Sequence, residues 1–433
     1  MLTKENNDRV TQTGPGTLGG DLLRRYWQPV ALSVELKHDE PFAVRIMSED
    51  LVLYRDEQGK PCLIGRRCPH RGVDLSYGRV EDGGLRCLYH GWLLSGDGRC
   101  LDQPGEGTAS NYKDRIKHKA YPCKEAGGLI LAYMGPGDPP NLPKFPFFLA
   151  PPERSWTTKI HHDCNYLQGN EGNVDPQHLS YLHRFLDPRQ SVDERVNSLL
   201  IRDSAPKLEV EETGYGFRLF AARAAAEGEI YIRMSNFIMP NCSAFDGSPL
   251  VDPRTGKSRE NLGYQMHWHV PIDDDTHWKY TILYGHEIPI DLNWIEKIVF
   301  ADVDENYQLA RNQGNRYQQN RQEMKTMSFA GMGQSFWAHD KFAVEAQGAI
   351  VDRSAEHLGT TDKPTMLMRR QLLQAIDAME AGQDPLFVER DKAANALADM
   401  AVLSKVVPEG TDLLSGWWRD FRPKIGPIME ILE

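Results

Sequence analysis

Two short segments, Cys68-Pro-His70-Arg-Gly72 and Cys87-Leu-Tyr-His90-Gly91-Trp92, place one thiol and one imidazole on each of two arms. Two thiolates and two imidazoles are the donor set of a [2Fe–2S] cluster in which His replaces Cys on one iron and raises the reduction potential. A structural zinc site is the competing chemistry, but zinc fingers usually pair like residues, as C-x2-4-C with H-x3-5-H. Here each arm is mixed. Gly72 and Gly91 also fit tight loops whose backbone N–H groups approach sulfur closely. The pattern therefore favours electron transfer over a purely structural metal.

A second set follows in LQGNEGNVDPQHLSYLHRFL, as Asp175-x-x-His178-x4-His183. Two imidazoles joined by a carboxylate from elsewhere make the facial triad that holds non-haem Fe(II) with positions open to dioxygen. Taken alone, the His pair is as readily structural. Five residues of ideal helix turn by about 500°, which leaves His178 and His183 roughly 140° apart. A helix over Asn165–His183 must then widen at a π-bulge or end before His183. Asp175 shares a face with His178 and also suits the first turn of a helix.

The elements that must carry these groups fall into two blocks. A chain of 433 residues exceeds the usual single core, so at least two domains are expected. A short helix is predicted at Leu22–Tyr26. From Phe42 to about Met134, short alternating strands (AVRIM, LVLYR, LILAYM) between turn signals predict a small β-sandwich or barrel bearing the cluster arms. The Pro- and Gly-rich stretch from Gly135 to Trp156 breaks regular structure. Beyond it, KLEVEE, YGFRLFAA, EIYIRMSNFIMP, YQMHWHVPI and HWKYTILYGH alternate as strands. Helical regions are predicted at Asn293–Gln322 and Thr365–Ala381. Strands in a block flanked by helices give an α+β fold.

The formal charge of −11 argues against nucleic acid or an anionic membrane as partner. No run reaches the roughly 18 apolar residues of a membrane span, and MLTKENNDRV lacks the apolar core of a secretory signal. A cytoplasmic location is expected. The Cys count of seven is low for a disulfide framework in so long a chain. Cys62, Cys100, Cys123, Cys164 and Cys242 read as packed thiols.

The mixed Cys/His arms followed by D-x-x-H-x4-H resemble the oxygenase component of Rieske non-haem iron oxygenases, over essentially the whole chain. GPGTLGGDLLRRYWQP and QGAIVDRSAEHLGTTD are similar to the phthalate-dioxygenase branch, whose members hydroxylate or demethylate aromatic acids. The resemblance implies an amino-terminal segment, 1–40, packing on the catalytic domain, and an all-β Rieske [2Fe–2S] domain over 41–135. It further implies a linker over 136–156 and a helix-grip catalytic domain over 157–433. It implies Cys68, His70, Cys87 and His90 on the cluster, and His178 and His183 on a mononuclear Fe2+. Asp175 becomes the carboxylate bridging an iron-bound His and a cluster His of a neighbouring subunit. Asp340, in WAHDKFAVEAQG, takes the third ligand position, with Asp304, Glu305, Glu345 and Asp352 as rivals. Further implications are a separate NAD(P)H-dependent reductase and a homotrimer or stacked hexamer.

An aromatic acid needs a cation, and Arg meets a carboxylate best through its bidentate fork. Alternation in EIYIRMSNFIMP places Tyr231, Arg233 and Ser235 on one face and Ile230, Ile232 and Met234 on the other. Arg233 and Arg202 are therefore the substrate-binding candidates, with Asn236, His267 and His269 behind them. Ring cis-dihydroxylation of a phthalate-like acid and O-demethylation of a methoxylated acid remain open. So does a reading from another class, a Rieske electron-transfer protein without oxygenase activity.

Overall fold

Hydroxyl caps, rather than an apolar stripe, start the chain. The computed structural model describes residues 1–107, 109–191, 194–246, 251–252, 257–258, 261–296 and 300–421. Thr3 accepts from Asn6 N at 3.1 Å at the head of α1 (Lys4–Thr11), and Thr17 accepts from Gly20 N at 3.2 Å at the head of α2 (Leu18–Arg24). Such caps satisfy amides that the first turn leaves without partners. They explain why α2 begins before the predicted Leu22, and why α1 escapes a search for hydrophobic period.

Short strands follow: β1 (Gln28–Leu32), β2 (Phe42–Ile46), β3 (Glu49–Arg55), β4 (Pro61–Gly65), β5 (Arg79–Glu81) and β6 (Gly84–Arg86). Then come β7 (Leu93–Ser95), β8 (Cys100–Asp102), β9 (Ala120–Tyr121), β10 (Cys123–Ala126) and β11 (Leu129–Ala132). Two four-stranded antiparallel sheets, β2-β3-β4-β9 and β5-β6-β7-β8, pack Val52, Tyr54, Ile64, Leu85 and Leu94 around Cys68, Cys87 and Trp92. The three strands β1-β11-β10 form a third sheet. Arg24, 5% exposed, ties α2 to β3 by donating to Met47 O at 2.7 Å and pairing with Glu49 Oε1 at 3.1 Å.

The second block is built on β12 (Ser155–His162), α3 (Tyr166–Asn173), α4 (Glu194–Arg202), β13 (Lys207–Thr213), β14 (Gly216–Ala224), β15 (Glu229–Ile238) and β16 (Cys242–Asp246). A small pair, β17 (Val251–Asp252) and β18 (Lys257–Ser258), precedes β19 (Gly263–Pro271) and β20 (His277–Gly285). The short α5 (Leu292–Trp294) and α6 (Glu323–Thr326) lead to α7 (Phe336–Glu345), α8 (Lys363–Glu380) and β21 (Leu403–Pro408). The antiparallel order is β12-β20-β19-β16-β15-β14-β13, with β21 paired to β15. Helix α3 packs on β19, and α4 and α8 pack on β14. The α+β expectation therefore holds.

One of the two later helix predictions needs correction. The described residues of Asn293–Gln322 are mostly turn and loop, with left-handed φ of 53°, 53° and 51° at Arg316, Tyr317 and Gln318. Tyr317 Oη anchors that turn on Glu345 Oε2 at 2.7 Å, so a tertiary bond overrides local propensity. By contrast α8 spans nearly the predicted residues, because its apolar face is buried against the sheet. The late segment around Arg353 has a clear structural task. That fully buried guanidinium donates to Glu171 Oε1 at 2.7 Å and Asn7 Oδ1 at 3.0 Å, while Arg369 donates to the same Glu171 oxygen at 2.7 Å. The Glu171 carboxylate thereby joins α3 to α8, and Arg353 carries the link on to Asn7 of α1.

Candidate metal centres and substrate cavity

The two Cys arms adopt the same loop. Cys68 N donates to Val73 O at 2.9 Å and Gly72 N to Cys68 O at 2.8 Å; Cys87 N donates to Trp92 O at 2.8 Å and Gly91 N to Cys87 O at 3.0 Å. Gly72 and Gly91 sit at φ 75° and 74°, where a side chain would be strained. Both thiols are buried, whereas His70 and His90 are exposed with ring centroids 4.5 Å apart, and His70 stacks on Trp92 at 4.7 Å. Burial, with a smaller push from the adjacent Cys87, raises the Cys68 thiol to about 11. A thiol raised in this way ionises readily only when a metal supplies positive charge, and with Cys87, His70 and His90 gathered beside Cys68 the donor set fits an iron–sulfur cluster. Cys62, Cys100, Cys164 and Cys242 are buried and Cys123 half-buried, all unpaired.

Helix α3 stops at Asn173 and does not reach His183. Pro176 is the reason, since it offers no amide and drives Asp175 out of helical geometry. Asp175 Oδ1 then accepts from Gln177 N at 2.8 Å and His178 N at 3.3 Å, opening a single turn over His178–Ser180. With the helix ended, the 140° problem disappears. The rings of His178 and His183 lie 5.1 Å apart, and one donor atom each from His178, His183 and Asp340 falls within 4.8 Å of the others. His183 Nε2 is 2.9 Å from Asp340 Oδ1. Two imidazoles and one carboxylate converging from a turn and from α7 fit a mononuclear iron with open positions. The rival Glu345 is instead committed to Lys341 and Tyr317.

Two neighbours that carry no sequence signal of their own complete this centre. His339 Nε2 lies 3.1 Å from Gly333 O, and its Nδ1 lies 3.3 Å from His183 Nδ1. The carbonyl must receive a proton, so His339 keeps Nδ1 bare and accepts from His183 Nδ1–H, which leaves the His183 Nε2 lone pair for metal. Burial holds His339 neutral, at about 3. Lys279, 2% exposed, puts Nζ 3.5 Å from Asp340 Oδ2 and 4.5 Å from the Trp337 ring. Burial opposes the charge on Asp340, yet His183 and Lys279 hold its carboxyl well below the usual range. Asp175 Oδ2 faces His178 Nδ1 at 3.7 Å.

The triad opens into a cavity of about 580 Å³. Tyr231, Arg233 and Ser235 line it, while Ile232 and Met234 point into an apolar cluster with Trp418. The Arg233 guanidinium lies 5.8 Å from the Phe245 ring. Arg202 does not line the cavity; it caps the Ala225 carbonyl from the end of α4. Asn236 is also directed elsewhere, to Tyr215 and Ala401. His267 and Gln265 line the wall, and so does Arg311, which pairs with Asp302. Arg311 lies in the stretch misread as helix, so no strand alternation pointed to it.

Residues 26–113 match the Rieske [2Fe-2S] domain, and residues 132–424 match the family described as LigXa C-terminal domain like. The chain belongs to the Rieske non-haem iron oxygenases, as a terminal oxygenase component of the phthalate-dioxygenase-like branch; its cofactors are a Rieske [2Fe–2S] cluster and a mononuclear iron. It is 35% identical to the phthalate 4,5-dioxygenase oxygenase subunit of Pseudomonas putida, over 98% of this chain and 95% of that one. It is 32% identical to the 5,5'-dehydrodivanillate O-demethylase oxygenase subunit of Sphingobium sp. (strain NBRC 103272 / SYK-6), over 95% and 89%. Dicamba monooxygenase bound to dicamba shares the fold, with TM-score 0.58 and 20% identity over 83% of this chain and 99% of that one. The oxygenase of carbazole 1,9a-dioxygenase, in its reduced complex with ferredoxin, gives 0.55 and 20% over 89% and 96%. The protein is thus an oxygenase and not a bare electron carrier. Among the described residues, no helix is long and apolar enough to cross a membrane.

Proposed function

We propose that this oxygenase acts on an aromatic carboxylic acid whose carboxylate is held by Arg233 and whose ring lies beside His178, His183 and Asp340. The observation that carries this reading is that one cavity is lined by both the triad and Arg233, beside the apolar walls of Leu219, Tyr231 and Phe245. Iron bound by the triad would supply the dioxygen activation that side chains lack. Arg233 orients the acid, the walls formed by Tyr231, Phe245 and Leu219 exclude water, and Asp175 orients the His178 ring.

Ring cis-dihydroxylation of a phthalate-like acid is the leading reaction. O-demethylation of a methoxylated acid is the second reading, supported by the similarity to the dehydrodivanillate O-demethylase subunit. Electrons come from a separate NAD(P)H-dependent reductase system. The working unit is a homotrimer or stacked hexamer in which Asp175 meets a cluster imidazole of the next subunit. The exposed cluster edge, where Leu88 and Tyr89 are 58% and 53% exposed, supports burial against a neighbour. The division into a 41–135 cluster domain and a 157–433 catalytic domain, and a cytoplasmic location, belong to the same proposal.

The test is turnover under labelled dioxygen with phthalate-like and methoxybenzoate-like acids. A diol holding two labelled atoms marks dihydroxylation, and formaldehyde with a phenol marks demethylation. Protein carrying about three irons per chain that oxygenates no aromatic acid would refute the substrate class.

A further inference from the structure

A file of buried side chains runs from the Cys164 carbonyl to the cavity wall. His277 Nδ1 lies 2.7 Å from Cys164 O, and His277 Nε2 lies 2.9 Å from His269 Nδ1. His269 Nε2 is 2.7 Å from Asn173 Nδ2, and Asn173 Oδ1 is 3.1 Å from His267 Nδ1. The three imidazoles are 0%, 1% and 2% exposed in that order. Gly169 of α3 leaves room for the file, since a Cβ there would collide with His269 Nδ1.

The carbonyl decides where every proton sits, because it can only accept. His277 must carry Nδ1–H and leave Nε2 bare. His269 then donates from Nδ1 and is bare at Nε2, so the Asn173 amide must donate to it. The Asn173 oxygen in turn accepts from His267 Nδ1–H. A reversed amide would force two acceptors together at Cys164. Burial disfavours a second proton on any of the three rings and holds His277 at about 3.

His267 Nε2 is therefore a lone pair, and it has no partner among the described residues. The ring is flanked by two aromatics: it stands edge-on to Phe245 at 4.7 Å and lies 5.1 Å from Trp337. Along the same face of β19, Gln265 commits its amide N–H to Asp246 O at 3.4 Å and leaves Oε1 without a partner. Both residues line the cavity. The two atoms themselves are covered, and since buried acceptors are seldom left unmet, a ligand that presses a donor into this wall would satisfy them.

We propose that His267 Nε2, with Gln265 Oε1 beside it, receives a hydrogen bond from the substrate, so that the preferred aromatic acids carry a ring hydroxyl as well as a carboxylate. This rests on the aromatic-acid reading above and applies to either reaction.

The experiment is calorimetric titration of the anaerobic, fully metallated enzyme with acids differing by one hydroxyl, at each ring position: benzoate against hydroxybenzoates, and 3-methoxybenzoate against hydroxy-3-methoxybenzoates. At least one hydroxylated member should bind about tenfold or more tighter. His267→Phe should erase that preference, so that hydroxylated and parent acids bind alike, while the cluster absorbance stays unchanged. Should His267→Phe lose the cluster absorbance, Asn173→Leu, which frees the His267 tautomer, should weaken the preference instead. Equal binding of every pair by the wild type, or a preference that survives these substitutions, overturns the proposal. Binding of no aromatic acid at all overturns the aromatic-acid reading, and this inference falls with it.

Discussion

Lys279 Nζ stands 3.5 Å from Asp340 Oδ2, while Asp340 Oδ1 lies 2.9 Å from His183 Nε2. One carboxylate thus has a buried cation behind it and the candidate iron ligands in front. Lys279 fixes the side of the carboxylate away from the candidate ligands and leaves Oδ1 turned toward the His183 lone pair, where a metal would sit.

Breaking that pair should be costly in the metal-free protein. Lys279→Met is expected to destabilise it by about 2 kcal/mol, because it leaves a half-buried carboxylate without its cation. Adding Asp340→Asn to the same variant should recover most of the loss. Thermal melting of the metal-free single and double variants checks this, and an unchanged melting temperature for Lys279→Met would show that the contact contributes nothing.

His339 should govern iron affinity without touching iron. His339→Leu removes the acceptor that fixes the His183 proton on Nδ1, and loss of such a partner typically weakens metal binding by about 10–100-fold. Equilibrium dialysis against ferrous iron measures it, with cluster absorbance as control. Wild-type affinity in the variant would sink the proton-ordering argument.

Arg233 should act on charged ligands only. Arg233→Met is expected to raise the Kd for aromatic carboxylates by about 100-fold and to leave the matching carboxamides within a few-fold. A uniform loss for both would instead mean a collapsed cavity wall.

Acid should loosen the metal-free fold well above the carboxylate range. His277 and His339 are pushed down to about 3 by burial, whereas an unfolded chain takes up those protons near pH 6.5. Their contribution is complete above about pH 6.5 and is lost as pH falls toward their folded values, at about 1.4 kcal/mol per group per pH unit. His178 runs the other way: burial lowers it, but Asp175 wins and raises it, so its stabilisation fades as pH rises. Melting temperatures of metal-free protein should fall as pH drops from about 6.5 to 5, and a flat profile there would contradict the neutral buried rings.

Residue type and spacing were enough for the chemistry of the two donor sets, because metal ligands are few and their arms are short, local loops: Cys68 to Gly72, Cys87 to Gly91, Asp175 to His183. Strand alternation likewise reached the correct face of β15, since the period of two leaves no other choice. The same reasoning misjudged Arg202, whose fork is spent on the Ala225 carbonyl of a distant strand end, and it read a helix into Asn293–Gln322, where Tyr317 answers to Glu345 instead. Lys279, His339 and the proton order from Cys164 to His267 lay beyond it altogether. Each depends on groups far apart in the chain being buried side by side, and only folding removes the water that would otherwise serve every one of those donors and acceptors equally.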